Sequence, residues 1–426
     1  KIKNFELLRV IYIFDCNLVF RSKMTEPSIT ISIVIPVYNG GESFRKCLAS
    51  IRESLRCPSG VIVVSDGDTD GSWQVAEAFG AKVFRLPSPG GPAGARNLGA
   101  SFARGDILFF VDADVTLHPN TLNLIEQQFE RWPDLAALIG SYDDAPGAEN
   151  FLSQYKNLFH HYTHQVSSEV ASTFWGACGA IRRCVFEAVG GFDESYRLPC
   201  IEDIELGYRL KQAGHSIRLC KNIQVKHLKR WQPISLHKAE IFYRALPWTK
   251  LILYRSHFDA DLNLSYSNRL SVVFVFAVIA SLAASGLFHL LLIPAIALVL
   301  ALLAINMNVY RFFYHKRGLL FTLRVIPWHW LYFLYSGAAF AYGMANKYLS
   351  LSLSGYSRFL RLPNEVRGGR GATCVPFTFM CGSVPEPLLR HGSRASAVLG
   401  FPQVEQLAFR CGKWLSVEQR GVGQRG

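Results

Sequence analysis

Between Ile29 and Lys226 short apolar runs alternate with amphipathic stretches. Ile31-Ser32-Ile33-Val34-Ile35, Val61-Ile62-Val63-Val64 and Ile107-Leu108-Phe109-Phe110-Val111 are β-branched or aromatic runs bounded by turn residues. That pattern suits strands buried on both faces. Helical spacing is expected between them, over Ser43 to Glu53, Ser72 to Phe79, Ala93 to Ala103 and Thr121 to Arg131. Strand–helix alternation of this kind predicts a mainly parallel α/β sheet, whose ligands bind at the carboxyl ends of the strands.

A different pattern follows. Leu270 to Val309 is almost wholly apolar. Roughly forty residues of helix rise about 60 Å, twice a hydrocarbon core of about 30 Å. Two spans in a hairpin fit, with the turn near Phe288-His289 and Pro294 early in the second helix. A third stretch, Val325 to Ala345, carries Trp328, Trp330, Tyr332, Tyr335 and Tyr342, and reads as a third span or a re-entrant segment. Arg311, Lys316, Arg317 and Arg324 crowd the link before it and place that link in the cytosol, beside the preceding domain. Lys347, Arg358 and Arg361 beyond it pull the other way, so the side of the tail stays open.

These shifts divide the chain into five regions. Residues 1–28 contain no methionine before Met24 and read as upstream sequence translated in error rather than as a signal peptide. Residues 29–233 form the α/β domain, and 234–269 an amphipathic linker. In that linker Leu236, Ile241, Phe242, Leu246, Trp248, Leu251 and Ile252 alternate with Lys238, Arg244 and Lys250. Such a segment lies on a membrane surface or packs on the domain's own core. Residues 270–345 hold the two to three spans, and 346–426 a Gly-, Arg- and Ser-rich tail read as disordered.

Half of the residues are hydrophobic, and the formal net charge of +13 suits an anionic membrane face or anionic substrates. No zinc-finger spacing, helix-turn-helix pattern or basic–aromatic ladder accompanies the charge, which argues against nucleic acid. The ten cysteines never form a C-x-x-C pair. Cys47, Cys57, Cys178, Cys184, Cys200 and Cys220 are expected as small buried hydrophobes.

Candidate chemistry gathers where strands end. Asp112-Ala113-Asp114 closes an apolar strand, and continued alternation would put both carboxylates on one face. Paired hard oxygen ligands suit Mg²⁺ or Mn²⁺, although an isolated D-x-D is often a solvated turn. Ile35-Pro36-Val37-Tyr38-Asn39 ends the first strand and Val64-Ser65-Asp66-Gly67 the second. Gly94-Ala95-Arg96-Asn97-Leu98-Gly99 opens a helix, and Gly190-Gly191-Phe192-Asp193-Glu194 precedes Ile201-Glu202-Asp203-Ile204-Glu205-Leu206.

In the order and spacing of these motifs, from about Ile29 to Trp231, the chain resembles the family 2 glycosyltransferases. The resemblance implies a GT-A fold, an α/β domain with a Rossmann-like mixed sheet, here followed by C-terminal transmembrane helices. It implies a UDP- or GDP-sugar donor bound by Pro36, Tyr38, Asn39, Asp66, Arg96 and Asp112, with Asp66 on the base and Arg96 near the phosphates. Asp112 and Asp114 would hold Mn²⁺ or Mg²⁺, Asp114 more directly, and Asp203 would be the base of an inverting transfer. Ser65 and Asp68 depart from the family's usual Asp and Ser, which touches the base or ribose contacts but not the metal motif.

Physical logic agrees on the base, because inversion in one displacement needs a carboxylate to take the acceptor hydroxyl's proton. Asp203 begins a helix that Gly214 ends, where it could equally serve as an N-cap. In His227-Leu228-Lys229-Arg230-Trp231, His227 could reach the metal, Arg230 pair with a phosphate and Trp231 stack on a sugar. Glu202, Arg230 and Trp231 are the acceptor candidates. The reading is of an inverting transferase in a multi-pass membrane protein of a bacterial inner membrane, acting at the cytosolic face on a lipid-linked or glycan acceptor. A small processive polysaccharide synthase and an inactive GT-A scaffold are the alternatives.

Overall fold

The computed structural model describes residues 29–255 and 265–359. The expected leader and the part of the tail beyond residue 359 lie outside the described residues. Of two compact units, Lys1–Arg361 and Leu362–Gly426, only the first is described.

Its centre is a nine-stranded sheet. Strands β1 (Ile31–Val37), β2 (Gly60–Asp66), β3 (Lys82–Leu86) and β4 (Ile107–Val111) lie parallel in the order β3-β2-β1-β4, with Ile33 opposite Val61 on one side and Phe109 on the other. Helices α1 (Gly41–Arg52), α2 (Ser72–Phe79), α3 (Pro92–Ser101) and α4 (Thr121–Arg131) follow, each within two residues of its expected start. The β-branched and aromatic runs fill two cores: Ile33, Ile35, Phe109 and Val111 face one side, and Val34, Leu108 and Phe110 the other.

Beyond β4 the sheet is mixed rather than mainly parallel. The order continues β4-β8-β6-β9-β5, with β5 (Val115–Leu117), β6 (Ala137–Tyr142), β7 (Val170–Ala171), β8 (Cys178–Arg182) and β9 (Ile217–His227). Strand β8 runs antiparallel to β4 with Cys178 opposite Val111, so Trp175–Ala177 arrive at the carboxyl end of β4. Strand β5 runs antiparallel to β9 with Val115 opposite His227. Helices α5 (Phe151–Val166), α6 (Arg183–Ala188) and α7 (Glu202–Gln212) complete the domain. Gly190 and Gly191, expected at a turn, take φ of 80° and 68°. Of the cysteines expected to be buried, Cys47, Cys178 and Cys220 are, whereas Cys57 and Cys184 are exposed at helix and loop surfaces.

The linker folds as α8 (Pro233–Lys238), a π-helix (Ala239–Ala245) and α9 (Leu246–Arg255). Helix α10 (Tyr266–Ser285) and α11 (Leu292–Ile305) form the hairpin, turning at Gly286–Phe288 and a 3₁₀ turn, His289–Leu291. Helices α12 (Met307–Arg317) and α13 (Leu319–Phe359) follow, the latter with Pro327 inside it. Among the described residues one helix, Tyr266–Ser285, is long and apolar enough to cross a membrane, with a mean hydropathy of 1.7. The pair His289–Ile305 and Met307–Arg317 passes only together, bent by 61°. Of the two to three spans expected from hydropathy, one is matched by a single helix and a second only by that bent pair. The fourteen residues of α11 rise only about 21 Å.

Candidate active site

The first two strand ends are tied together. Tyr38 is exposed, and Asn39 takes a positive φ of 50° while its side-chain oxygen accepts from the Thr69 amide at 2.8 Å. Asp70 returns the tie by accepting from the Gly41 amide at 2.9 Å. Pro36 lies within β1, where the missing N–H matters least near the strand's end. Asp66 is buried and takes the amides of Gly90 and Gly91 at 2.7 and 2.9 Å, one on each oxygen. Its first task is thus to hold the loop before α3. Gly91 there has φ 96°, and a Cβ would lie 2.5 Å from the Arg197 carbonyl.

Asp112 and Asp114 do not continue a strand. They sit in a tight turn between β4 and β5, closed by the Val115 amide on the Asp112 carbonyl at 3.1 Å. Strand alternation is therefore not what presents them. Asp112 accepts from Arg96 Nη2 at 2.7 Å. Asp114 lies beside His227, 3.5 Å from its Nε2, because β5–β9 pairing sets Val115 against His227. His227 is oriented from behind by the Asn157 side chain at 2.7 Å and stacks on Tyr142. Burial alone would raise the Asp114 carboxyl, but the His227 charge and hydrogen bond, with Lys229, outweigh it and bring it down to about 2.

No group of three or more His, Cys, Asp or Glu side chains among the described residues is arranged to hold a metal ion. Asp112 and Asp114 nonetheless fit the hard-oxygen chemistry of Mg²⁺ or Mn²⁺. Such ions are commonly bound by one or two carboxylates, waters and substrate phosphate oxygens rather than by an all-protein cage. Arg96 engages Asp112 Oδ1 and leaves Oδ2 available.

Arg96 is the hub. It is 4% exposed and also gives Nη1 to Glu202 at 2.7 Å. Burial opposes its charge, and Asp112, Glu202 and Asp203 restore it. Gly176 makes room for it: a Cβ there would come within 2.8 Å of the guanidinium carbon. Arg96 is thus committed to Asp112 and Glu202. Glu202, read as an acceptor candidate, is buried, with its second oxygen on the Cys200 amide at 2.9 Å. It positions Arg96 instead of facing a ligand.

Asp203 is not the N-cap of α7, since Ile201 holds that place. Its carboxylate accepts from the Ile204 amide at 2.8 Å and from Gly176, across the sheet end, at 3.0 Å. Burial, then the adjacent Glu202 charge, push its carboxyl up to about 6 against the pull of those amides and Arg96. Asp203 opens onto a cavity of about 160 Å³ whose wall includes Lys156, His160, Trp175, Glu240, Arg244 and Tyr335. Asp112 and Asp114 do not line it.

The remaining acceptor candidates diverge. Arg230 is exposed. Trp231 is buried against Leu152 and Leu236, with Lys229 over its ring at 4.7 Å, so no sugar can stack on it. Sequence reasoning missed Lys156, His160 and Glu240. Their signal was spacing: Lys156, His160 and His164 recur every four residues on one face of α5, as do Glu240 and Arg244 in the π-helix.

Residues 32–190 match the model of glycosyl transferase family 2. Glycosyltransferase GlyG of Streptococcus pneumoniae is 32% identical over 117 residues, which are 26% of this chain and 38% of that protein. The O-antigen chain rhamnosyltransferase WbaN of Salmonella anatum is 26% identical over 239 residues, 52% of this chain and 74% of its own length. The chain thus spans well under half of the first and about three quarters of the second. The mannosyltransferase PcManGT of Pyrobaculum calidifontis, solved with GDP-Man and Mn²⁺, matches with a TM-score of 0.51 at 17% identity, covering 75% of this chain and 91% of that one. That likeness is one of fold.

Proposed function

Because residues 32–190 belong to glycosyl transferase family 2 on a GT-A fold, we propose that this chain moves a sugar from a nucleotide-sugar donor to a membrane-associated, lipid-linked acceptor with inversion. The observation that carries the reading is the arrangement around Arg96. It lies between the Asp112–Asp114 turn at the β4 end, where the Asp114 carboxyl is held down to about 2, and Asp203, whose carboxyl is pushed up to about 6 and opens on a cavity. Pairs of carboxylates pushed apart in this way divide electrostatic and proton-transfer roles.

In the proposed reaction the acceptor O–H approaches the anomeric carbon from the Asp203 side. The new C–O bond forms as the bond to the diphosphate breaks, and the hydroxyl proton passes to Asp203. The Gly176 and Ile204 amides keep the carboxylate aimed while leaving it basic enough to accept. Asp112 and Asp114 would hold a divalent ion, which when bound neutralises the leaving diphosphate. The fold neighbour PcManGT was solved with Mn²⁺ and GDP-Man, which supports that choice of metal and donor class.

Membrane association is supported by the apolar helix Tyr266–Ser285 and by the O-antigen role named for WbaN. The basic link contacts the catalytic domain directly: Lys316 pairs with Asp144, and Arg317 Nη2 reaches Gln154 at 2.7 Å. Both face one side of any bilayer, which the positive-inside rule makes the cytosol. Membranes containing the protein, given labelled nucleotide-sugars with and without Mn²⁺, should release nucleoside diphosphate and label a lipid extract only with metal. No metal-dependent release from any donor would reject the transferase reading.

A further inference from the structure

Two cations and two carboxylates line the cavity at the start of α7: Lys156 from α5, Arg244 and Glu240 from the π-helix, and Asp203 itself. One pair each would balance the four charges. The structure divides them otherwise. Glu240, 5% exposed, takes both cations, with Arg244 Nη1 on Oε1 at 2.9 Å and Lys156 Nζ on Oε2 at 2.9 Å. The Tyr335 hydroxyl of α13 donates to Oε2 as well, at 3.0 Å. The Asp203 carboxylate accepts instead from two backbone amides, those of Ile204 and Gly176.

The backbone makes this division. π-helical segments are rare and concentrate at functional sites. Here one sets Glu240 and Arg244 four residues apart, where they pair within the segment. Helix α5 brings Lys156 to the same carboxylate and α13 brings Tyr335, so three elements meet at Glu240. Burial opposes the Glu240 charge, but the Lys156 and Arg244 charges outweigh it and bring the carboxyl down to about 2. Glu240 therefore stays charged across the range in which Asp203, pushed up to about 6, gains and loses its proton.

The other groups around Asp203 are already committed or neutral. Glu202, beside it on α7, is paired with Arg96 of α3. Burial depresses the imidazoles of His160 and His164 on α5, raises the Tyr142 phenol of β6 and pushes the Cys200 thiol up to about 12. Tyr332 and Tyr335 of α13 bring phenol hydroxyls. That leaves Lys156 and the half-exposed Arg244 as the cations that Glu240 alone restrains. Desolvation opposes the Arg244 charge; Glu240 favours it most, and Asp203 contributes too, so the two lie within electrostatic reach. A guanidinium bonded to Asp203 would hold that carboxyl low and make it a poor proton acceptor.

We propose that Glu240 is a positioning residue for the transfer: by holding Arg244 and Lys156 it keeps both cations off the Asp203 carboxylate and leaves that carboxylate free to take the acceptor proton. This role rests on the transferase reading.

The test is the acid limb of the transfer profile, measured on the full-length protein in membranes from pH 4.5 to 8. Glu240→Gln lets Arg244 turn to Asp203, so the limb should move down by about one pH unit. At pH 7 kcat should fall about tenfold, with the donor KM held within about twofold. Arg244→Gln, a substitution at a half-exposed side chain that spares the fold, should move the limb up. Glu240→Gln combined with Arg244→Gln should bring it back toward the unmodified position, a recovery that a merely structural Glu240 would not show. A limb unmoved in both single variants, or no nearer the unmodified position in the double variant than in Glu240→Gln, would overturn the proposal. A second measurement needs no transfer. Asp203→Asn should stabilise the protein more at pH 7.5 than at pH 4.5, because a raised carboxyl costs stability as pH climbs. In the Glu240→Gln background that difference in melting temperature should shrink by about half or more. An undiminished difference would overturn the role of Glu240 whether or not transfer is observed. Metal-dependent nucleotide release from the unmodified protein tests the transferase reading by itself.

Discussion

Replacing Asp203 with Asn tests the base and its environment together. The side chain keeps its size but can no longer take a proton, so transfer should fall on the order of 10²–10⁴-fold while donor affinity is retained. The pH profile supplies the sharper measure. With the Asp203 carboxyl raised to about 6, roughly nine-tenths of the protein carries the base at pH 7 but only about one-tenth at pH 5. Transfer should therefore drop nearly tenfold between them, whereas an ordinary carboxyl near 3.8 would lose only about a twentieth. Glu202→Gln removes the neighbouring charge that is the second cause of the shift, and should move the acid limb to lower pH. Stability runs the opposite way. A carboxyl raised in the folded state contributes stability that is full below its unfolded pKa and lost as pH rises through about 6. Asp203→Asn should thus be more stable than the unmodified protein at pH 7.5, by on the order of 1–2 kcal/mol after solvent screening. Initial-rate transfer assays from pH 4.5 to 8, paired with thermal melts, read both. A fully active Asn variant, or an acid limb unmoved by Glu202→Gln, would refute the reasoning.

Asp114→Ala should abolish Mn²⁺-dependent nucleotide release, by at least about 10²-fold, with little change in the melting temperature; metal titration of the release rate checks it. Arg96→Met leaves Asp112 and buried Glu202 without their cation, and should cost about 3 kcal/mol or more in urea unfolding. Adding Glu202→Gln to that variant should recover part of the loss, a coupling that two independent residues would not show. Gly176→Ala forces a methyl against the Arg96 guanidinium, 2.8 Å away, and should cost about 1–3 kcal/mol and reduce transfer together; calorimetry and rate measurements on one sample would separate the two.

What the sequence made legible follows from how local each signal is. Strand β4 and helices α2 and α4 were predictable to the residue, because apolar runs and helical spacing are short-range patterns that turn residues bound cleanly. Strands β6, β8 and β9 were not, since their pairing depends on chain reversals far apart in sequence, and the antiparallel half of the sheet with them. The D-x-D and Glu-Asp motifs were visible as letters, and His227 was read as able to reach the metal, but what brings it there was not legible. His227 meets Asp114 because β5 pairs with β9 in one register. Trp231 looked like a sugar platform and is a core residue, a distinction that burial alone makes.

The same register logic explains why one fold can hold two carboxylate sites of opposite character so close together. Asp112 and Glu202 are 90 positions apart in sequence, and each accepts a hydrogen bond from one nitrogen of the same buried guanidinium. Arg96 is thereby bonded to Asp112 and Glu202 rather than to Asp114 or Asp203. Asp114 is left to His227 and Lys229, which favour its charge. Asp203 is left next to Glu202, with Arg96 counted only as a lesser influence than burial and that neighbour. Had Arg96 bonded Asp203 directly, the carboxyl would be held low and would make a poor proton acceptor. The placement of one arginine, made possible by the absent side chain at Gly176, thus sets which carboxylate stays charged and which can take a proton.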